Sequence, residues 1–162
     1  MKRYILLFSF ILLVLSACSS ESTENYSQMT SAFERNDSEL NKKISETVTN
    51  IQEESNRDKA LADINEGIIP RIDDFKQTID NYTLSDEAHI EVQEAIQTYL
   101  DNLRTLMELY SEINSEFFIV NPFEDASLSE DINQQLEEIQ NLEEEVQKNR
   151  ADIDQLISEN NE

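Results

Sequence analysis

The chain holds one cysteine, Cys18, and one histidine, His89. Nucleophilic catalysis by a thiol or hydroxyl needs a neighbouring base, most often histidine. These two residues stand far apart in sequence, and His89 opens an apolar helical seam, the usual place of a packing histidine. Structural zinc calls for several Cys or His ligands, more than this inventory offers. Asp86-Glu87-Ala88-His89 places an acid three residues before the histidine. That is half of the paired Glu-x-x-His arrangement of dinuclear carboxylate bundles, and the chain has no second copy. No Asp-x-Asp-x-Asp-Gly calcium loop occurs, so Asp73-Asp74 and Glu143-Glu144-Glu145 read as solvated surface. Glycoside hydrolysis needs two carboxylates facing a sugar cleft; a narrow bundle without tryptophan offers no obvious cleft. The residues thus predict no catalytic group, no metal ligand and no cofactor.

Cys18 has a different chemistry in prospect. It closes the run Leu15-Ser16-Ala17-Cys18, preceded by Lys2, Arg3 and an apolar stretch from Tyr4 to Leu15. A basic head, a short apolar segment and small residues at a cleavage point make a secretory signal. The stretch is too short to span a bilayer, which takes about 20 residues. The tetrapeptide resembles the lipobox of bacterial lipoproteins. That resemblance implies removal of residues 1–17 after Ala17. It also implies a lipidated Cys18, acylated with chains such as palmitate, as the first mature residue. The protein would then be held on the extracytoplasmic face of the cell membrane. As a whole the chain is similar to the small helical lipoproteins of Gram-positive bacteria, some of them labelled cell-wall-binding. Beyond Leu15 to Cys18 the likeness assigns no residue a role.

Composition narrows the fold. One glycine, two prolines and no tryptophan leave little for the many turns that a sheet requires, so a few long helices are expected. With no second cysteine, stability must come from packing and not from an intrachain disulfide. The charge is strongly acidic: 35 Asp and Glu against 12 Lys and Arg, and −25 once Lys2 and Arg3 leave with the signal. Residues 83–162 hold 21 of those acids and only 3 bases. Such a surface repels nucleic acid, anionic lipid heads and phosphate-rich wall polymers. Nucleic acid is excluded as a partner; cationic peptides, cations or plain solvation remain.

The pattern divides the chain into a signal (1–17), a lipidated cysteine with a polar tether (18–25) and an acidic helical domain (26–162). In the first helix Tyr26, Met29, Phe33, Leu40, Ile44, Val48 and Ile51 recur at helical intervals, with polar residues filling the Phe33–Leu40 gap. Ser55-Asn56 is a candidate break, with Ser55 placed to cap a second helix. That second segment carries Leu61, Ile64, Ile68, Ile72, Phe75, Ile79 and Tyr82. Its period continues through Gly67 and Pro70, which favours a kink at the proline over a break that starts a new helix there. Thr83 or Ser85 is placed to cap a third helix, with Asp86 and Glu87 in its first turn. That helix has the clearest seam: His89, Val92, Ile96, Tyr99, Leu103, Leu106, Tyr110, Ile113 and Phe117. Ser127 and Glu130 form a capping box for the last helix. Its seam is Ile132, Ile139, Leu142, Val146, Ile153 and Leu156, interrupted by Gln135 and Asn149.

The expected fold is all-α, an antiparallel bundle of three or four long coiled-coil-like helices. Residues 26–51 either pack as the fourth helix or stand as a stalk. The connection Phe117-Phe118-Ile119-Val120-Asn121-Pro122-Phe123 is the richest apolar patch outside the signal. It reads as a plug over the bundle end; in the alternative, Phe118, Ile119, Val120 and Phe123 are exposed and contact a partner. The function expected is that of a membrane-anchored, non-enzymatic surface lipoprotein that binds a protein or serves a structural role. The alternative is a defensive lipoprotein, for immunity or exclusion, that sequesters cationic peptides or blocks entry at the membrane.

Overall fold

The structure, a computed structural model, describes the backbone of residues 2–51, 57–119 and 126–160, and the side chains of 22–50, 58–113 and 129–160. All regular structure among them is helical: α1 (Lys2–Ile51), α2 (Arg57–Ala62), a π-helical turn (Asp63–Ile68), α3 (Ile69–Asp80), α4 (Glu87–Ile119) and α5 (Ala126–Glu159). α2, the π-turn and α3 run on from one another without interruption and form one rod. The described residues therefore form an up-down-up-down bundle of four rods, the all-α antiparallel fold expected, with the larger of the two helix numbers. Cross-rod pairs fix the directions: Asp73 and Asp80 of α3 meet Arg104 and Gln97 of α4, Asn102 and Tyr110 of α4 meet Asn149 and Glu143 of α5, and Glu39 and Lys43 of α1 meet Arg71 and Asp63 of the second rod.

Residues 22–50 of α1 pack as the fourth helix, which settles the choice between bundle and stalk. Tyr26, Met29, Phe33 and Leu40 are buried against Ile64, Ile68, Ile72, Phe75 and Ile79 of the second rod. Full burial of one such side chain is worth about 1.5–3 kcal/mol. Farther along α1 the seam shifts. Thr47 is buried, whereas Val48 beside it is only half-buried. α4 packs between the second rod and α5, and its Tyr99 reaches Phe33 and Asp37 of α1. Its expected seam is buried from Val92 to Leu106, and Leu100 and Met107 on an adjoining face are buried too. One apolar stripe serves a helix with one partner, but α4 faces the second rod, α5 and α1. On α5, Ile132, Ile139 and Ile153 are buried and Leu142, Val146 and Leu156 half-buried, while Leu136 is exposed.

The proline neither breaks nor ends the second rod. Pro70 occupies the first turn of α3, immediately after the π-turn. There the Ile69 N–H donates to the carbonyl of Ile64, five residues back. A proline ring in an α-helix collides with the carbonyl four residues before it. A wider π-turn at that place relieves the collision while the backbone stays right-handed helical. The same turn presents Asn65 to α4, where it and Ser111 exchange hydrogen bonds of 2.8 and 3.1 Å.

Glycine is not needed to stop the helices. The Gln93 side chain of α4 donates to the carbonyls of Ile79 and Tyr82, at 2.7 and 3.0 Å, and Gln97 donates to that of Lys76. These side chains tie the end of α3 and the turn after it to α4, and at Ile79 they add to the bond that its carbonyl accepts from the Tyr82 N–H. At the start of α4 the cap is Asp86, not Thr83 or Ser85. Its carboxylate accepts from the Ala88 N–H at 3.0 Å, and its carbonyl from that of Ile90. A carboxylate there also suits the helix dipole. The candidate break at Ser55-Asn56 and the side chains of Ser127 and of the plug residues Phe117–Phe123 lie outside the described residues. α4 itself runs on to Ile119, and α5 begins at Ala126.

Candidate functional site

Two places in the bundle combine chemistry with unusual packing. The first is the end of the molecule next to Cys18. The backbone of α1 is helical through Cys18 and into the bundle; the Cys18 side chain, like those of Leu15, Ser16 and Ala17, lies outside the described residues. The polar segment 19–25 is not a free tether along its length. Residues 22–25 are helical, and they dock. Ser22 is 7 % exposed, and its Oγ accepts from the Ser85 N–H at 3.1 Å. Asn25 donates to the Thr83 carbonyl at 3.0 Å. One turn on, Tyr26 stacks flat on His89, with ring centres 3.9 Å apart and planes 8° from parallel. In the sequence, the lack of apolar residues reads as flexibility. Serine and asparagine bonded to a backbone turn carry no periodic signal.

His89 therefore packs, as its place at the head of a seam suggests. Its Nδ1 and the Tyr26 hydroxyl are buried without hydrogen-bond partners, and burial pushes the Tyr26 hydroxyl above its ordinary pKa. Ser22, Thr23, Ser85, Asp86 and His89 line a shallow polar cleft of about 140 Å³ beside this stack. His89 and Asp86 are its only metal-ligating side chains, and no group of three or more such residues occurs among the described residues. The buried His89 Nδ1 has no hydrogen-bond partner, so no hydroxyl of the cleft is paired with that nitrogen as a nucleophile with its base would be.

The second place lies at mid-bundle, inside the polar gap of the α1 seam. Asp37 fills that gap and is 4 % exposed. Its carboxylate accepts from the Tyr99 hydroxyl at 2.6 Å, from Arg150 Nε at 2.8 Å and from Asn41 at 2.9 Å. Arg150 also pairs with Asp154 and, at 3.4 Å, with Glu34. Its guanidinium carbon sits 4.8 Å from the centre of the Phe33 ring, within cation–π range. Phe33 in turn meets Tyr99 edge-on and Phe75 in a tilted stack. One carboxylate thus ties α1 to both α4 and α5.

This packing sets the electrostatics. Burial raises the Tyr99 hydroxyl well above its ordinary value, and the nearby Asp37 charge adds to the rise. Burial alone would lower Arg150, but its hydrogen bonds to Asp37 and Asp154 outweigh that and hold it firmly protonated. A buried ion pair is not a stability device in itself, because desolvating both charges costs about as much as their attraction returns. A buried carboxylate with dedicated donors on other helices favours one register over its neighbours. A shift of α1 along the bundle would leave Asp37 buried without its donors. The arrangement positions helices.

The acidic surface is largely solvated. Glu137, Glu138, Glu144 and Glu145 of α5 are exposed, and the ion pairs on the second rod and α4, such as Lys76 with Asp101 and Arg104 with Asp73 and Glu108, are surface pairs worth little each. Among the described residues no helix is long and apolar enough to cross a membrane. No protein-family model matches this chain, and neither does any curated protein or solved structure.

Proposed function

We propose that this chain is a lipoprotein of the cell surface, anchored in the membrane through Cys18, whose helical bundle has a binding or structural role and no catalytic one. The observation that carries the reading is the complete Leu15-Ser16-Ala17-Cys18 run behind a basic head and an apolar segment. The bundle is consistent with it. The buried Asp37 and Tyr99 are engaged with each other and, through Asp37, with Arg150, which suits a module that holds shape. The bundle would meet a protein partner through its exposed helix faces. The test is metabolic labelling with a fatty-acid analogue and fractionation of the cells. The wild-type chain should carry label and stay with the membrane; Cys18→Ala should lose both. Label retained on Cys18→Ala ends the proposal.

A second reading rests on the charge asymmetry. Residues 83–162, which include α4 and α5, carry 21 acids against 3 bases. That surface suits capture of cationic peptides at the membrane, as in immunity or exclusion. Such binding would weaken steeply with salt, because the attraction acts between exposed charges. Binding of a basic model peptide that is unchanged between low and high salt would dismiss it.

A further inference from the structure

We propose that the corner joining α3 to α4 lies against the lipid surface, so that the bundle stands at the membrane in one fixed orientation instead of swinging on a flexible leash. The inference rests on the proposed anchoring through Cys18 and adds what the packing of α1 implies. Ser22 and Asn25 are bonded to the backbone at Ser85 and Thr83, and Tyr26 is stacked on His89. Only residues 19–21 separate the lipidated residue from the first docked one. Fully extended, the four steps from Cys18 to Ser22 reach at most ~14 Å. As the helix observed there, they rise ~6 Å. A free segment of residues 19–25 would reach about twice as far as 19–21 can, and would let the domain tumble.

The direction of the helices then settles what faces outward. α4 starts at this corner and runs 33 residues, about 50 Å at 1.5 Å per residue. The start of α5 is therefore carried to the far end of the bundle. α5 returns antiparallel, with Arg150 beside Asp37, so its C-terminal end arrives on the anchored side. Glu24, Asp80, Asp86, Glu87 and Glu159 are all exposed there. These carboxylates give the anchored end a negative charge that acts over about one Debye length, ~8 Å at physiological salt. The chemistry they fit is a zwitterionic or cation-screened lipid surface, not a bare anionic one.

The experiment uses the full lipidated protein purified from membranes and reconstituted in phosphatidylcholine vesicles. A minor fraction of the lipid carries a nitroxide on its headgroup, enough to keep a short-range quencher near every protein. Cys18 is blocked by its lipid, so a thiol-reactive fluorophore marks only an introduced cysteine, Thr83→Cys at the corner or Glu130→Cys at the far end. Neither side chain is buried. The corner label should be quenched several-fold more than the distal one. Insertion of a flexible Gly-Ser segment between Glu21 and Ser22 should remove most of that difference. Equal quenching at the two sites in a protein that still sediments with the vesicles overturns the fixed orientation and leaves the anchor standing. A protein that carries no lipid on Cys18 and does not sediment overturns the anchor itself, and this inference with it.

Discussion

Replacing Asp37 by alanine should destabilise the bundle by about 3 kcal/mol. Breaking a buried ion pair by removing one partner typically costs about 3–5 kcal/mol. The lower end applies here because Arg150 keeps Asp154 and Glu34, and its side chain is about a quarter exposed, at 24 %. The orphan left behind is the Tyr99 hydroxyl, on a residue 1 % exposed; an unpaired buried donor costs about 1–3 kcal/mol. Loss of the charge-assisted bonds from Arg150 and Asn41 supplies the rest. In a domain near 150 residues, each kcal/mol shifts the melting midpoint by about 2–4 °C, so a fall of about 6–12 °C is expected. Tyr99→Phe alone should cost about 1–1.5 kcal/mol, the worth of one hydrogen bond, because Asp37 retains two donors. The double variant should cost less than the sum by about 1 kcal/mol or more, the coupling of residues in one network. Urea and thermal unfolding monitored by circular dichroism measure all three. An Asp37→Ala protein within about 0.5 kcal/mol of wild type, the range of ordinary surface changes, would show that Asp37 is not held as described.

Leu103→Ala, at a position 3 % exposed in the α4 seam, should cost about 2–5 kcal/mol; unchanged melting would remove Leu103 from the core. Gly67→Ala should stabilise the protein by about 0.5–1 kcal/mol, because glycine is a poor helix former, its φ is not positive and a Cβ there meets nothing within 4 Å. A loss on that substitution, read from the same urea curves, would mean that the π-turn needs glycine. Alkaline titration read at the tyrosinate absorbance should show Tyr99 and Tyr110 ionising late. Burial raises both above the ordinary value of 10.0, helped by Asp37 and by the Glu143 hydrogen bond respectively. Because the folded-state values are the raised ones, this stabilisation is complete below about pH 10 and is lost as pH rises through the folded values. Both should therefore ionise together with unfolding, and smooth ionisation of every tyrosine near pH 10 in a folded protein would contradict the burial.

Much of the bundle is legible in the sequence because its cause is periodic. The seams of α3 and α4 step by three and four, and each residue from Ile64 to Ile79 named for its spacing is buried. Leu100 and Met107 were not legible, because a helix with several partners buries more than one stripe, and period alone does not say how many partners there are. Asp37 was hidden for the opposite reason. A charged residue inside an apolar seam looks like an interruption, and only Tyr99 and Arg150, brought in from distant helices, convert it into a fastening. The residues beside Cys18 show the same blindness. Ser22 and Asn25 read as tether because hydrogen bonds to a turn 58 to 63 residues away leave no trace in local composition. The Leu15–Cys18 run, on which the proposed anchoring rests, is legible because such a signal is a short local sequence in which the fold has no part.

Intact-mass spectrometry of the chain extracted from the membranes of cells that make it addresses the anchor most directly. The expected polypeptide begins at Cys18, lacks residues 1–17, and carries added mass confined to the peptide containing Cys18 and consistent with fatty acyl chains. A chain that begins elsewhere, or one with an unmodified Cys18, would contradict the proposed anchoring.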